Sequence, residues 1–202
     1  MIRPFGESAL LVELEGADQA QALASSLRAD PAPGVLESVP GLASLLVELD
    51  SFAADHELVV SVLERRIRGL DSAPPVGQLH TIPVVYDGPD LDEVANLVNR
   101  TPSEVVALHA GTDLRVLFLG FAPGFAYLGD LPPELRVERL ATPRTRTPAG
   151  SVAIAGPMTG IYPADLPGGW RVIGRTSVQL FDPHHDPPAL LMPGDRVRFE
   201  PT

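Results

Sequence analysis

The first 70 residues alternate short apolar runs with amphipathic segments. The runs Ser8–Leu14, Val35–Val39 and Ser44–Leu49 predict strands, because apolar and β-branched residues dominate them and turn residues bound them. Apolar residues recur at helical spacing over Ala17–Leu27 and Asp55–Leu70, which predicts two helices. The order strand, helix, strand pair, helix predicts a small α+β sandwich with both helices on one face of an antiparallel sheet.

A second set of elements follows a predicted linker, Asp71–Leu79, in which adjacent prolines stop both neighbouring elements. Ile82–Tyr86 predicts a strand. Asp90–Asn99 predicts a helix with Asp90 as N-cap and Glu93 three residues later. The sequence Thr101-Pro102-Ser103-Glu104 predicts the start of another helix, with a capping box and a proline at its first position, and that helix is expected to end near Gly111.

From Arg115 onward, short apolar runs alternate with Gly-Pro turns and no helical period of useful length remains. Thirteen of the 22 prolines lie at or after Phe118, mostly between candidate strands. Because proline cannot donate to a sheet ladder and glycine permits positive φ, this pattern predicts a compact β-barrel with long shaped loops. The whole chain is therefore predicted to be α+β, with an N-terminal α+β domain over 1–78 and a β-barrel domain over 79–202.

Composition narrows the classes of function. The net charge of −11 and the absence of a basic stripe argue against nucleic acid as a partner. The chain has no cysteine, so thiolate chemistry is excluded, and all 15 basic residues are arginine, so there is no P-loop lysine. No apolar run approaches the ~18 residues that a membrane span needs. The N-terminus lacks the apolar stretch of a signal peptide, so a cytoplasmic location is expected.

Several side chains are candidates for chemistry, each with a structural alternative. His109, at the end of a predicted helix, is either catalytic or a partner of the helix dipole. The segment Phe121–Tyr127 carries three aromatic residues around a Pro-Gly turn and either folds onto the barrel or forms the wall of a pocket. Arg144 and Arg146 either clamp a carboxylate or phosphate or lie on a solvated edge. His184 and His185 are adjacent in a proline-flanked segment, which favours a polar loop over a metal site.

The order of C-terminal motifs carries a resemblance to a known family. These motifs are Leu119-Gly120-Phe121, Pro123-Gly124-Phe125, Tyr127-Leu128-Gly129, Pro143-Arg144, Pro148-Ala149-Gly150-Ser151-Val152, Thr159-Gly160, Tyr162-Pro163, Pro167-Gly168-Gly169-Trp170 and Pro193-Gly194-Asp195. With Ile82–Tyr86 and the His109 helix, they cover nearly the whole chain. The chain resembles the family of 5-oxoprolinase B subunits (PxpB/KipI), whose members are also labelled allophanate hydrolase subunit 1.

The resemblance implies a small N-terminal α/β domain followed by a cyclophilin-like barrel. It also implies a direct complex with a homologue of the C subunit of 5-oxoprolinase and, with the A subunit, conversion of 5-oxo-L-proline, ATP and water to glutamate, ADP and phosphate. ATP is then used by the complex, no metal is expected in this chain, and the chain alone is expected to be inactive. Two alternatives remain: inhibition of a sensor histidine kinase, and an amide hydrolase acting on urea-derived substrates.

The same resemblance, together with the local composition, gives the candidate site. His109 and Arg144 are the catalytic candidates, and His109 is the only residue named as a general base. The substrate-binding candidates are glycine, aromatic or small residues in the motifs: Phe121, Pro123, Gly124, Phe125, Tyr127, Gly150, Ser151, Thr159, Tyr162, Gly168, Gly169 and Trp170. The chain departs from the family at Leu114, where tyrosine is usual, and at Leu166, where a small or polar residue is usual.

Overall fold

The structure is a computed structural model that describes residues 1–70 and 77–202. The chain divides into two compact units, Met1–Pro75 and Val76–Thr202. Residues 71–76 of the predicted linker lie outside the described residues, and Leu79, its predicted end, already belongs to the first strand of the second unit. None of the helices in the described ranges has the length and apolar character that crossing a bilayer would need.

The N-terminal unit is a four-stranded antiparallel sheet with two helices. Its elements are β1 (Ile2–Pro4), β2 (Ala9–Glu13), α1 (Ala17–Ala29), β3 (Val35–Pro40), β4 (Ser44–Leu49) and α2 (His56–Arg68). The strand order is β1-β2-β4-β3. Leu23 of α1 and Leu63 of α2 join one core with Leu10 and Val47, so both helices lie on the same face of the sheet. The predicted α+β sandwich is confirmed, while β1, a three-residue strand with one apolar side chain, was not predicted.

The second unit is built on a seven-stranded sheet. Its elements are β5 (Leu79–Val84), α3 (Leu91–Leu97), α4 (Pro102–Ala110), β6 (Leu114–Leu119), β7 (Ala126–Gly129), β8 (Arg144–Thr147), β9 (Ser151–Ala155), β10 (Met158–Ile161), β11 (Leu166–Gly168), β12 (Arg171–Arg175) and β13 (Arg196–Pro201), with a 3-10 turn over Pro133–Leu135. The sheet order is β12-β9-β10-β7-β6-β13-β5, and β8 and β11 pair separately.

The two edges of the seven-stranded sheet meet at a single bridge. Val85, directly after β5, pairs with Arg175 at the end of β12 through two backbone hydrogen bonds of 2.9 Å. Pro83, which has no N–H to donate, lies in β5 on this seam. The sheet is therefore nearly closed, and the predicted barrel is confirmed.

Strand β9 is buried on both faces. Val152 and Ile154 point into the barrel core, whereas Ala153 and Ala155 belong to a second cluster with Phe125 and Trp170. Because side chains alternate along a strand, the second cluster covers the outer face of the sheet. The aromatic side chains of Phe125 and Trp170 thus pack against the outer face of the barrel, where the small side chains of Ala153 and Ala155 leave room for them.

The two predicted helix starts turned out differently. At α4, the Thr101 side chain accepts from the Glu104 N–H and the Glu104 carboxylate accepts from the Thr101 N–H, so the predicted capping box is confirmed. At α3, Asp90 stands at the N-cap position but makes no side-chain cap. Its carboxylate instead accepts the Val172 N–H at 2.6 Å, so the predicted N-cap position is confirmed, but the side chain stabilises the edge of β12 and not the helix start.

Candidate functional site

An aromatic pocket forms where residues 121–127 meet residues 162–170 on the outer face of the barrel. Its volume is about 90 Å³. The lining residues are mostly aromatic or glycine: Phe121, Phe125, Tyr127, Arg139, Tyr162, Pro167, Gly168, Gly169 and Trp170. Seven of these nine were predicted as substrate-binding residues from the motifs, and the fold places them side by side.

The rings of the pocket pack edge to face. The ring of Phe125 lies at the centre of the pocket. Its centroid is 5.4 Å from the ring centroid of Tyr162 and 5.7 Å from that of Trp170. Phe125, Tyr162 and Trp170 are almost fully buried, so their ring packing holds the inner wall rigid. Burial raises the pKa of Tyr127 and of Tyr162, and the positive charge of Arg139 acts in the opposite direction on both. Both phenols are therefore neutral hydrogen-bonding groups at neutral pH.

The segment Phe121–Tyr127 satisfies both interpretations proposed from the sequence. Phe125 buries itself against the barrel, while Phe121 is 58% exposed at the edge of the pocket. Phe121 also has φ of 70°, a left-handed conformation that is uncommon for a bulky residue. One loop thus anchors itself through one ring and presents another ring at the mouth of the pocket.

Arg139 is a pocket residue that sequence reasoning did not find. Its guanidinium carbon lies 6.0 Å from the centroid of the Trp170 ring. It follows a 3-10 turn in an irregular segment that contains none of the motifs. No local signal distinguishes it from other surface arginines, because its partner Trp170 is distant in the sequence.

Arg144 has a partner within the protein. Its guanidinium donates to Asp90 at 2.5 Å, and the Asp90 side chain is 6% exposed while that of Arg144 is 30% exposed. Since the Asp90 carboxylate also accepts the Val172 N–H, the arginine neutralises a charge that holds the edge of β12. This geometry supports a structural role for Arg144, and its predicted role as an anion clamp stays a prediction.

His109 lies in the core of the barrel unit. The Thr159 hydroxyl donates to the Ala153 carbonyl at 2.9 Å, so it accepts from the His109 Nε2–H, also at 2.9 Å. His109 Nδ1 then accepts from the Tyr86 hydroxyl at 2.7 Å. The ring stacks on Phe199 at 4.6 Å, and complete burial lowers the pKa of His109 to about 3.

Both nitrogens of His109 are therefore engaged inside the protein, and the ring has no exposed surface. A general base has to reach the proton that it abstracts. The geometry thus supports a positioning role, in which neutral His109 orients Tyr86 and Thr159. Thr159, predicted to bind substrate, belongs to this network and not to the pocket wall.

The remaining predicted residues shape loops. Pro123 is exposed, and Gly124 has φ of +78° and packs so closely on Leu180 and Phe181 that a side chain would collide. Gly150 has φ of +80°, and a side chain there would collide with the Thr176 carbonyl oxygen. Ser151 is buried at the start of β9. These four residues do not line the pocket.

His184 and His185 lie exposed in a turn-rich loop, as the loop interpretation predicted. Across residues 1–70 and 77–202, no cluster of three or more histidine, cysteine or acidic side chains is placed to hold a metal ion.

Comparison with known proteins gives the family. The family model "Carboxyltransferase domain, subdomain C and D" matches residues 1–191, which include the first unit and most of the second. The 5-oxoprolinase B subunit of Escherichia coli O157:H7 is 44% identical over 98% of this chain and 94% of its own length. The 5-oxoprolinase B subunit of Bacillus subtilis is 36% identical over 98% of this chain and 91% of its own length. The chain belongs to the carboxyltransferase subdomain C and D family and, within it, to the group of 5-oxoprolinase B subunits.

A solved structure, that of TTHA0988, agrees with this assignment. It is 39% identical, with a TM-score of 0.85, over the whole of this chain. The match covers 40% of the TTHA0988 chain, so the present chain spans well under half of that relative. In TTHA0988 the equivalent of this protein is joined covalently to a further stretch of polypeptide.

Proposed function

We propose that this chain is the B subunit of an ATP-dependent 5-oxoprolinase, acting in a direct complex with a homologue of the C subunit and together with the A subunit. The observation that carries the proposal is the aromatic pocket with an arginine at its edge, in a chain whose relatives are named as B subunits of 5-oxoprolinase. Such a pocket suits a small anionic substrate whose reaction requires exclusion of water.

The chemistry of the substrate explains why a complex is needed. The lactam amide of 5-oxoproline is stable, and phosphorylation of its carbonyl oxygen by ATP makes the ring carbon a better electrophile. Addition of one water molecule to this carbon breaks the C–N bond and leaves γ-glutamyl phosphate, and a second water molecule hydrolyses the acyl phosphate to glutamate and phosphate. This sequence needs phosphate stabilisation as well as a substrate site. The chain has no lysine for a P-loop, so we assign the handling of ATP to the partner proteins.

Partnership is supported by the length of TTHA0988. In that relative, the stretch equivalent to this chain is only 40% of a longer polypeptide. The curated relatives, by contrast, are about as long as this chain. One relative thus carries this unit within a longer polypeptide, whereas others are about as long as the unit itself. This pattern supports stable association of the present chain with a separate protein that corresponds to the additional sequence of TTHA0988.

We expect this chain and a C-subunit homologue to elute together from gel filtration at micromolar concentration after co-expression. Once the A subunit is added, the mixture should form glutamate from 5-oxoproline with one ATP hydrolysed per turnover. The isolated chain should hydrolyse ATP only at the background rate, because it lacks a P-loop lysine. Product is measured by amino-acid analysis and ATP consumption by a coupled assay.

Omission of each protein in turn is the control. Separate elution of the two chains would contradict the partnership. Clear ATP turnover by the purified single chain, abolished by a point mutation within it, would contradict the assignment of ATP chemistry to the partners.

A further inference from the structure

Arg139 differs from most of the arginines in the described part of the chain. Most of the others hold a carboxylate within 4 Å, including Arg144, Arg171 and Arg175. Arg139 has no carboxylate within salt-bridge distance in the described part of the chain, and its neighbour is the face of Trp170. It is also the one charged residue among those that line the aromatic pocket. A guanidinium beside an apolar cavity, with no anion of the protein to pair with, is placed for an external anion.

We infer that Arg139 and Trp170 form the binding site for the carboxylate of a small cyclic substrate, with the aromatic walls contacting its ring. The inference rests on the proposed function for the identity of the substrate, 5-oxoproline. The guanidinium presents a planar fork of N–H donors that matches a carboxylate, while the indole ring beneath it holds the fork in place. Arg139 itself is exposed at the edge of the pocket, so its guanidinium is accessible to a ligand from solvent, while the buried rings of Phe125, Tyr162 and Trp170 form the apolar wall beside it.

The volume of the pocket limits the size of the group that it can enclose. A volume of 90 Å³ is about three times the share of one water molecule in the liquid. A pocket of this size accommodates a carboxylate with part of a five-membered ring. The site therefore suits a small substrate.

The backbone at Phe121 supports a role in ligand contact. A bulky residue with φ of 70° carries conformational strain, and such strain persists at binding sites where the surrounding structure enforces it. The strained backbone holds the Phe121 ring 5.4 Å from Phe125 and 6.5 Å from Tyr162, edge to face with both. The ring is thereby held at the mouth of the pocket, where a ligand bound to Arg139 would touch it.

Fluorescence of Trp170 tests the inference directly, because Trp170 is the only tryptophan in the chain and lines the pocket. The isolated chain is titrated with 5-oxoproline, with the neutral lactam 2-pyrrolidinone and with ATP, and ligand-observed NMR repeats each titration independently of fluorescence. We expect saturable binding of 5-oxoproline with Kd on the order of 1 mM. Binding of 2-pyrrolidinone should be at least ~10-fold weaker, because it has no carboxylate for Arg139.

Two variants complete the test. Arg139→Gln should weaken 5-oxoproline binding at least ~10-fold, and Arg139→Lys should retain part of it. The matched control is Arg146→Gln, which removes an exposed arginine paired with Asp165 outside the pocket and should leave binding unchanged. Equal binding of both lactams, unchanged binding by Arg139→Gln, or no saturable signal by either method up to about 50 mM would overturn the site.

This test separates the site from the proposed function. Binding is measured on the chain alone, whereas glutamate formation is measured on the reconstituted complex. A complex that is inactive toward 5-oxoproline would overturn the proposed function. Unchanged turnover by a complex carrying Arg139→Gln would overturn the substrate site and leave the function standing.

Discussion

Replacing Arg144 by alanine is expected to lower the free energy of unfolding of the barrel unit by about 2–3 kcal/mol. The change leaves the Asp90 carboxylate, whose side chain is 6% exposed, without its counter-charge. Breaking a fully buried pair costs about 3–5 kcal/mol, and the 30% exposure of the Arg144 side chain lets water screen part of the pair. Because the Asp90 carboxylate accepts the Val172 N–H, the loss of stability should be localised at the edge of β12.

Urea unfolding followed by Trp170 fluorescence measures this effect, since Trp170 lies in the barrel unit. Arg146→Ala is the control and should cost less than about 1 kcal/mol, because Arg146 and Asp165 are both exposed. A double replacement of Asp90 and Arg144 by alanine should cost less than the sum of the single changes. Wild-type stability combined with lost activity in Arg144→Ala would instead place Arg144 in contact with a ligand.

Acidification is expected to destabilise the barrel unit through His109. Its pKa is about 3 in the folded protein and about 6.5 when unfolded, so between these values the unfolded chain binds a proton that the folded chain does not. The stabilisation is fully present above pH 6.5 and is lost as the pH falls toward 3. The expected loss is about 3 kcal/mol between pH 6.5 and pH 4.

Comparison with His109→Gln isolates this contribution. Exposed carboxyls such as Asp87 and Asp113, whose pKa values are lowered by hydrogen bonds from arginines, also destabilise the protein in acid, but they titrate in both proteins. His109→Gln should be less stable at pH 7 and show a flatter dependence on pH from 6.5 to 4. An identical pH dependence in the two proteins would show that His109 is not the titrating group.

Local patterns predicted most elements but not the roles of single side chains. Thr101 and Glu104 form the capping box that their spacing indicates. Asp90 and Glu93 have a comparable spacing, yet Asp90 turns to Val172 and Arg144, and Glu93 pairs with Arg171 at 2.7 Å. The difference arises because the edge of β12 lies across this helix start, and a tertiary neighbour is invisible to a local pattern.

Sequence patterns likewise predicted only part of the candidate site. The aromatic and glycine motifs indicated which residues gather around the pocket, because aromatic side chains beside glycine-rich turns pack against a nearby surface instead of remaining in solvent. Gly168 is an example, since a side chain there would collide with the Tyr162 hydroxyl. Arg139 could not be predicted, because its significance depends on the distant Trp170 ring and on the absence of a carboxylate partner in the described residues. On this basis we propose Arg139, instead of Arg144, as the anion clamp.

The parallel pairing of β5 with β13 has a consequence for how the barrel assembles. Leu79 pairs with Arg196 and Val84 with Pro201, so the two strands come from opposite ends of the unit in sequence. Strand β13 also pairs with β6 and so links β5 to the rest of the sheet. Loop-closure entropy opposes such a distant pairing until other contacts are formed. During synthesis, β5 therefore stays without its strand partner until β13, the final strand of the unit, has emerged and the barrel can close.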